Sequence, residues 1–138
     1  MLHLIYMKIV AKVLITNPKG EFLLLNRSTT HPNFPGHLDL PGGEVEKGEQ
    51  WSVAVAREVK EETGINVLAS SLTKVYEIHY PKVTHVLFET TLKSSTPVIN
   101  LSWEHVMHKW FRKTELLQIP IPPSVDRYYS DVLNYLKE

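Results

Sequence analysis

The sequence predicts a mixed α/β domain, of the α+β kind, with helices packed on a sheet. Three observations predict it. The Val- and Ile-rich run at 7–16 and "VTHVLFETTL" at 83–92 read as strands, residues 50–63 carry the period of a helix, and "VDRYYSDVLNYLKE" closes the chain as an amphipathic helix. A length of 138 residues fits one domain over 1–138, which can bury roughly two-thirds of the surface exposed by the unfolded chain.

Taken in order, residues 7–16 form the first expected strand, "NPKG" at 17–20 a turn, and "EFLLLNR" at 21–27 the returning strand of a hairpin. Residues 28–37 are polar, with two prolines and a glycine, and form a loop. Leu38 to Leu40 make a short extended piece, because Pro41 disfavours helical backbone in the residue before it. The helix over 50–63 follows. Beyond it, "INVLASSLTKVYEIHY" and "VTHVLFETTL" read as strands broken at Pro81 and Lys82, and "HVMHKWF" at 105–111 alternates like another. The "IPIPPS" run at 119–124 is stiff and extended, and leads into the closing helix. No repeat, low-complexity tract or linker divides the chain.

Fifteen basic residues balance fifteen acidic ones, so no net field draws in a nucleic acid polymer or an anionic membrane. The absence of cysteine excludes a disulfide framework, a thiolate nucleophile and a cysteine zinc site, and suits a reducing compartment; the cytoplasm is the expected location. The apolar start "MLHLIYMKIVAKVLI" is interrupted by Lys8 and Lys12 and has neither a leading positive charge nor a small-residue cleavage site. It reads as neither a signal peptide nor a membrane span.

Against that neutral background, Leu40 to Val67 holds six carboxylates and four glycines. On a helix, Glu58, Glu61 and Glu62 fall within a sector about 100° wide, while Ser52, Val55, Ala56, Val59 and Thr63 occupy a less charged neighbouring sector. Like charges at these spacings cost an isolated helix roughly 0.2–0.5 kcal/mol per pair, and the C-terminal half of the helix dipole opposes anions. Stability does not call for them. Hard divalent cations such as Mg²⁺ and Mn²⁺ do need clustered carboxylate oxygens, and one helical turn brings Glu58 and Glu62 within reach of one ion. Gly42 and Gly43 stand just before the helix, where bare backbone can approach closely and a carbonyl can turn inward as a further ligand.

The segment resembles the Nudix box of the Nudix hydrolases, a pattern met here by Gly43, Glu49, Arg57, Glu58, Val59, Glu61, Glu62, Gly64 and Ile65. The resemblance extends outward through the preceding hairpin and the two following strands, and "EHVMHKWFRKTEL" looks like the later strand and short helix of the MutT-like branch. It implies the Nudix fold, an α/β/α sandwich around a mixed sheet, and a Mg²⁺- or Mn²⁺-dependent hydrolase acting on phosphoanhydride bonds. Glu58, Glu61 and Glu62 match the glutamates that hold metal or activate water, with Glu58 and Glu62 the firmest pair. The Gly42 carbonyl matches a further ligand, while Arg57 and Glu49 match residues that pair with each other or orient the metal-binding glutamates. Gly64 matches the glycine that ends the helix, as a left-handed C′ residue would.

The family often adds an acidic residue from outside the box, and Glu104 is the candidate, with Glu77 and Glu89 as alternatives. Asp126 falls where MutT-like relatives place residues that contact the base, and Arg27 joins it as a candidate substrate contact. The seven histidines show no helical HxxxH pair and are not expected ligands of an oxygen site. Trp51, Trp110, Tyr76 and Phe88 could stack on a base but are expected in the core. The implied reaction is conversion of a nucleoside triphosphate, oxidised or otherwise modified ones included, to a nucleoside monophosphate and pyrophosphate. ADP-ribose, dinucleoside polyphosphates and nucleotide sugars are alternative substrates, and a non-catalytic nucleotide-binding module is the alternative class. The partner is a small nucleotide, and the oligomeric state is left as monomer or homodimer.

Overall fold

In a computed structural model of the chain, residues 7–119 and 127–138 are described. Strand β1 (Lys8–Thr16) turns at Asn17, whose side-chain oxygen accepts the N–H groups of Lys19 and Glu21, and the chain returns as β2 (Phe22–Arg27). Two short strands follow, β3 (Leu38–Asp39) and β4 (Gly42–Glu44), and then helix α1 (Trp51–Thr63). Strands β5 (Thr73–His79), β6 (Val83–Thr91) and β7 (His105–Phe111) precede a short helix α2 (Lys113–Leu116) and α3 (Arg127–Leu136).

Seven strands among the described residues form one mixed sheet in the order β3-β2-β1-β6-β5, with β4 also on β1 and β7 also on β2. Only β1 and β6 run parallel, from Lys8↔Val83 to Thr16↔Thr91. Strand β1 is central, and its residues Ala11 to Ile15 are all buried because both faces of the sheet are covered. Ala11, Val13 and Ile15 pack with Ala54, Val55 and Val59 of α1, while Leu14 packs on the opposite face with Tyr128, Val132 and Leu133 of α3. Alternation along the strand thus separates two cores, and the layers are helix, sheet, helix. The expected sandwich around a mixed sheet is what the chain adopts.

Helix α1 ends at Gly64, whose φ of +77° and N–H bond to the Lys60 carbonyl form the left-handed cap expected from sequence. The long strand expected over 65–80 is corrected. Only Thr73–His79 is strand, because residues 65–68 have no partner strand and Ala69–Ser71 form a 3₁₀ turn. The "IPIPPS" run, apart from Ile119, and Asp126 lie outside the described residues.

One irregularity positions the site. Strands β1 and β2 pair only at Thr16↔Phe22 and then diverge, and β4 takes over the vacated edge of β1 through Val10↔Glu44, Ala11↔Gly43 and Lys12↔Gly42. Backbone of the glycine pair is thereby held between β1 and α1.

Candidate active site

Gly42 can occupy this position only because it lacks a side chain. Its φ is +132°, and a Cβ would stand 2.4 Å from the Ala11 carbonyl oxygen and 2.5 Å from Lys12 Cα. Its N–H donates to Glu62 Oε1 at 2.8 Å. A Cβ on Gly43 would meet the Glu58 carboxylate at 3.3 Å. The glycines therefore let two helix carboxylates approach β4 closely. Gly42→Ala is expected to cost ~2–5 kcal/mol, from left-handed strain and overpacking together. Urea unfolding checks it, and a midpoint equal to that of the parent contradicts the close approach.

The carboxylates of α1 face different surroundings. Glu62 is buried, at 4% exposure, whereas the Glu61 side chain is 57% exposed and Glu58 lies between them. Burial pushes the Glu62 carboxyl well up from the usual range, with the Gly42 N–H opposing. Burial also raises Glu58, partly offset by Arg57. Arg57 grips Glu49 with two bonds, Nε to Oε2 at 2.8 Å and a terminal nitrogen to Oε1 at 3.1 Å. Its other terminal nitrogen reaches Glu58 at 3.1 Å and Glu61 at 3.3 Å. These charge-assisted bonds raise the Arg57 pKa further and fix the orientation of three glutamates.

Glu58 and Glu62 line one wall of an open cavity of about 630 Å³, together with Gly42, Gly43 and Glu44, whereas Glu49, Arg57 and Glu61 stand behind that wall and do not line it. Glu104 lies in the same cavity, with its Oε2 3.4 Å from His31 Nε2. Glu77 pairs instead with Lys74 and His79, and Glu89 accepts from Tyr135, so neither alternative lines the cavity. Arg27 is in the cavity wall, with Nε on Asp39 and a terminal nitrogen on the Asn33 carbonyl. Trp51, Trp110 and Phe88 belong to the α1-side core and Tyr76 to the α3-side core; the aromatic rings in the cavity are Phe34 and Tyr128.

Sequence reading missed a buried charge cluster. Asp39 receives the Lys12 ammonium, Arg27 Nε at 3.1 Å and His105 Nε2 at 3.3 Å. Burial alone would raise Asp39, but Lys12, His105 and Arg27 hold it far below the ordinary range. Lys12 also acts on Glu62, as a second cation beside Arg57 near the box glutamates. A lysine in the middle of a Val- and Ile-rich strand was the available signal, because a buried ammonium requires a partner. Phe34, at φ +47°, gave none.

The donor set suits a hard divalent cation. Glu62 is a buried carboxylate that accepts the Gly42 N–H, Glu58 fills the space over Gly43, and the candidate ligand atoms are all oxygen. Among the described residues, no three His, Asp or Glu side chains already converge on one point, because Arg57 holds Glu58 and Glu61 while Gly42 holds Glu62. No helix among them is long and apolar enough to cross a membrane.

The sequence model of the NUDIX domain matches residues 7–132. An NAD-capped RNA hydrolase of Shigella dysenteriae is 30% identical over 88% of this chain and 46% of its own length. An 8-oxo-dGTP diphosphatase of Haemophilus influenzae is 36% identical over 52% of each. The chain spans about half the length of these curated relatives. Among solved structures, the MutT protein of Methanosarcina mazei Go1 superposes with a TM-score of 0.75 at 31% identity, covering 99% of this chain and 96% of that one. Since the match runs from β1 into α3 and is not confined to the glutamate helix and its glycine loop, the chain belongs to the Nudix hydrolase family.

Proposed function

We propose that the protein is a divalent-metal-dependent pyrophosphohydrolase that cleaves a nucleoside diphosphate linked to a further group. The leading substrate is a nucleoside triphosphate, oxidised or modified ones included, converted to a nucleoside monophosphate and pyrophosphate. The buried Glu62 carboxylate at the wall of an open cavity carries this reading. A carboxylate desolvated there, beside Glu58 and with Lys12 already committed to Asp39, lowers stability and is retained for chemistry.

Glu58 and Glu62, with the Gly42 carbonyl and Glu61 nearby, are the residues that would hold Mg²⁺ or Mn²⁺. When bound, the cation neutralises the bridging phosphate oxygens and lowers the pKa of attacking water. Arg57, braced by Glu49, keeps Glu58 and Glu61 oriented. Glu104 accepts the proton of that water, which attacks the β-phosphorus. Burial and Arg27 lower the pKa of its neighbour His31, which favours the uncharged imidazole beside Glu104. Arg27, in the cavity wall, contacts the nucleoside.

Glu104→Gln is expected to lower kcat by ~100-fold or more with little change in KM, as loss of a general base does. Steady-state kinetics checks it, and a kcat near that of the parent transfers the role to another group. The proposed function itself is tested by incubating the protein with Mg²⁺ and a panel of triphosphates, ADP-ribose, dinucleoside polyphosphates and nucleotide sugars, with products identified. Fastest turnover of a triphosphate is the expected result; no turnover of any compound leaves a binding module.

A further inference from the structure

We infer that Lys12 is a specificity-determining residue, whose ammonium in the cavity floor donates to a carbonyl oxygen of the nucleobase and selects oxo bases over their amino counterparts. The preferred partners are hypoxanthine over adenine and uracil over cytosine. This rests on reading the cavity as a nucleotide site.

Lys12 sits in the middle of β1, on the same strand face as Val10, and its side chain is 6% exposed yet lines the cavity. An ammonium carries three N–H donors. Among the described residues Lys12 Nζ has one acceptor, Asp39 Oδ1, and the Tyr128 ring covers it at 5.4 Å. Donor capacity remains in a place where bulk water has little access, and a buried donor left unmet costs ~1–3 kcal/mol.

The acceptor beside it is already committed. Asp39 Oδ1 takes Lys12 and the Leu40 N–H at 2.8 Å, while Oδ2 takes Arg27 Nε at 3.1 Å and faces His105 Nε2 at 3.3 Å. A carboxylate so occupied has no capacity for an exocyclic amine. Lys12 thus keeps an unmet donor, and Asp39 beside it offers no free acceptor. A carbonyl oxygen completes Lys12, whereas an amino group sets donor against donor and leaves both unmet.

Two features favour a base over a phosphate at this point. Lys12 is bordered by Val10 and the Tyr128 ring, a surface that suits a flat heterocycle. Its charge is also balanced locally: Lys12 and Arg27 stand against Asp39 and Glu62, so little net attraction remains for a polyanion.

The test measures dissociation constants, by calorimetry with Mg²⁺ present, for α,β-methylene triphosphate analogues of inosine, adenosine, uridine and cytidine. The parent is expected to bind inosine and uridine ~10-fold or more tightly than adenosine and cytidine. Lys12→Met should bring each ratio to within ~2-fold by weakening the oxo member alone, and Lys12→Arg should keep the preference. A parent ratio of one or below overturns the inference. So does a Lys12→Met variant that weakens all four alike, which marks a phosphate contact. If Lys12→Met does not fold, Lys12→Gln and the parent ratio decide. Because binding is read without turnover, a preserved ratio in a protein that hydrolyses nothing overturns the proposed function alone, and no binding of any analogue overturns both.

Discussion

Glu62→Gln is expected to lose at least ~100-fold in turnover, about 2.7 kcal/mol of transition-state stabilisation, while its melting temperature holds or rises. In the proposed function the two readouts move in opposite directions, because Glu62 would serve chemistry at a cost to stability. Its carboxylate is 4% exposed, carries a charge that burial disfavours, and lies on the same helix as Glu58. A neutral amide keeps an oxygen for the Gly42 N–H while removing the desolvation cost and the like-charge repulsion. Kinetics with Mg²⁺ present and thermal unfolding in metal-free buffer check it together. A variant that unfolds readily, or one that turns over like the parent, shows that Glu62 is not the residue described here.

Chelation is expected to abolish turnover, and Mg²⁺ to stabilise the protein more at pH 8 than at pH 6. The sign follows from the raised carboxyls of Glu62 and Glu58. A group whose folded pKa lies above its unfolded value adds stability that is complete below the unfolded value, 4.5 for Glu, and is lost as pH rises through the folded one. Metal-free protein should therefore gain stability on acidification from neutrality toward that point. Asp39 works the other way: its lowered pKa gives stability present above its unfolded value of 3.8 and lost as pH falls beyond it, so it does not mask the trend. In the proposed function a cation would compete with protons for these oxygens, so its stabilisation, about 2.7 kcal/mol at a hundredfold excess over Kd, should shrink as pH falls. Melting curves at several pH values with and without Mg²⁺ measure this; undiminished hydrolysis in excess chelator contradicts it.

Local pattern and long-range contact explain what could be read from sequence. The glutamates of α1 were legible because helical geometry turns fixed spacing into a shared face, and Gly64 because a left-handed cap has a residue preference. That Glu62 is buried while Glu61 is exposed was not legible, since it depends on Gly42 arriving from twenty positions earlier in the chain. The contact of Lys12 with Asp39 spans 27 positions and that of His105 with Asp39 spans 66, distances over which periodicity carries no information. Strand β4 escaped notice because Gly42–Glu44 has no strand propensity and exists only where β2 has left the edge of β1. The overlong strand over 65–80 was the reverse error, apolar alternation without a neighbour to pair with beyond Thr73.

The most direct measurement is hydrolysis of the preferred nucleoside triphosphate with Mg²⁺ in ¹⁸O-labelled water, with products separated and weighed by mass spectrometry. In the proposed function a phosphate chain running from the nucleoside toward Glu58 and Glu62 would set the α–β bridge over the glutamates. The expected products are nucleoside monophosphate and pyrophosphate, with the label in pyrophosphate. Label in the monophosphate contradicts attack at the β-phosphorus, and orthophosphate as the sole phosphate product contradicts the pyrophosphohydrolase itself.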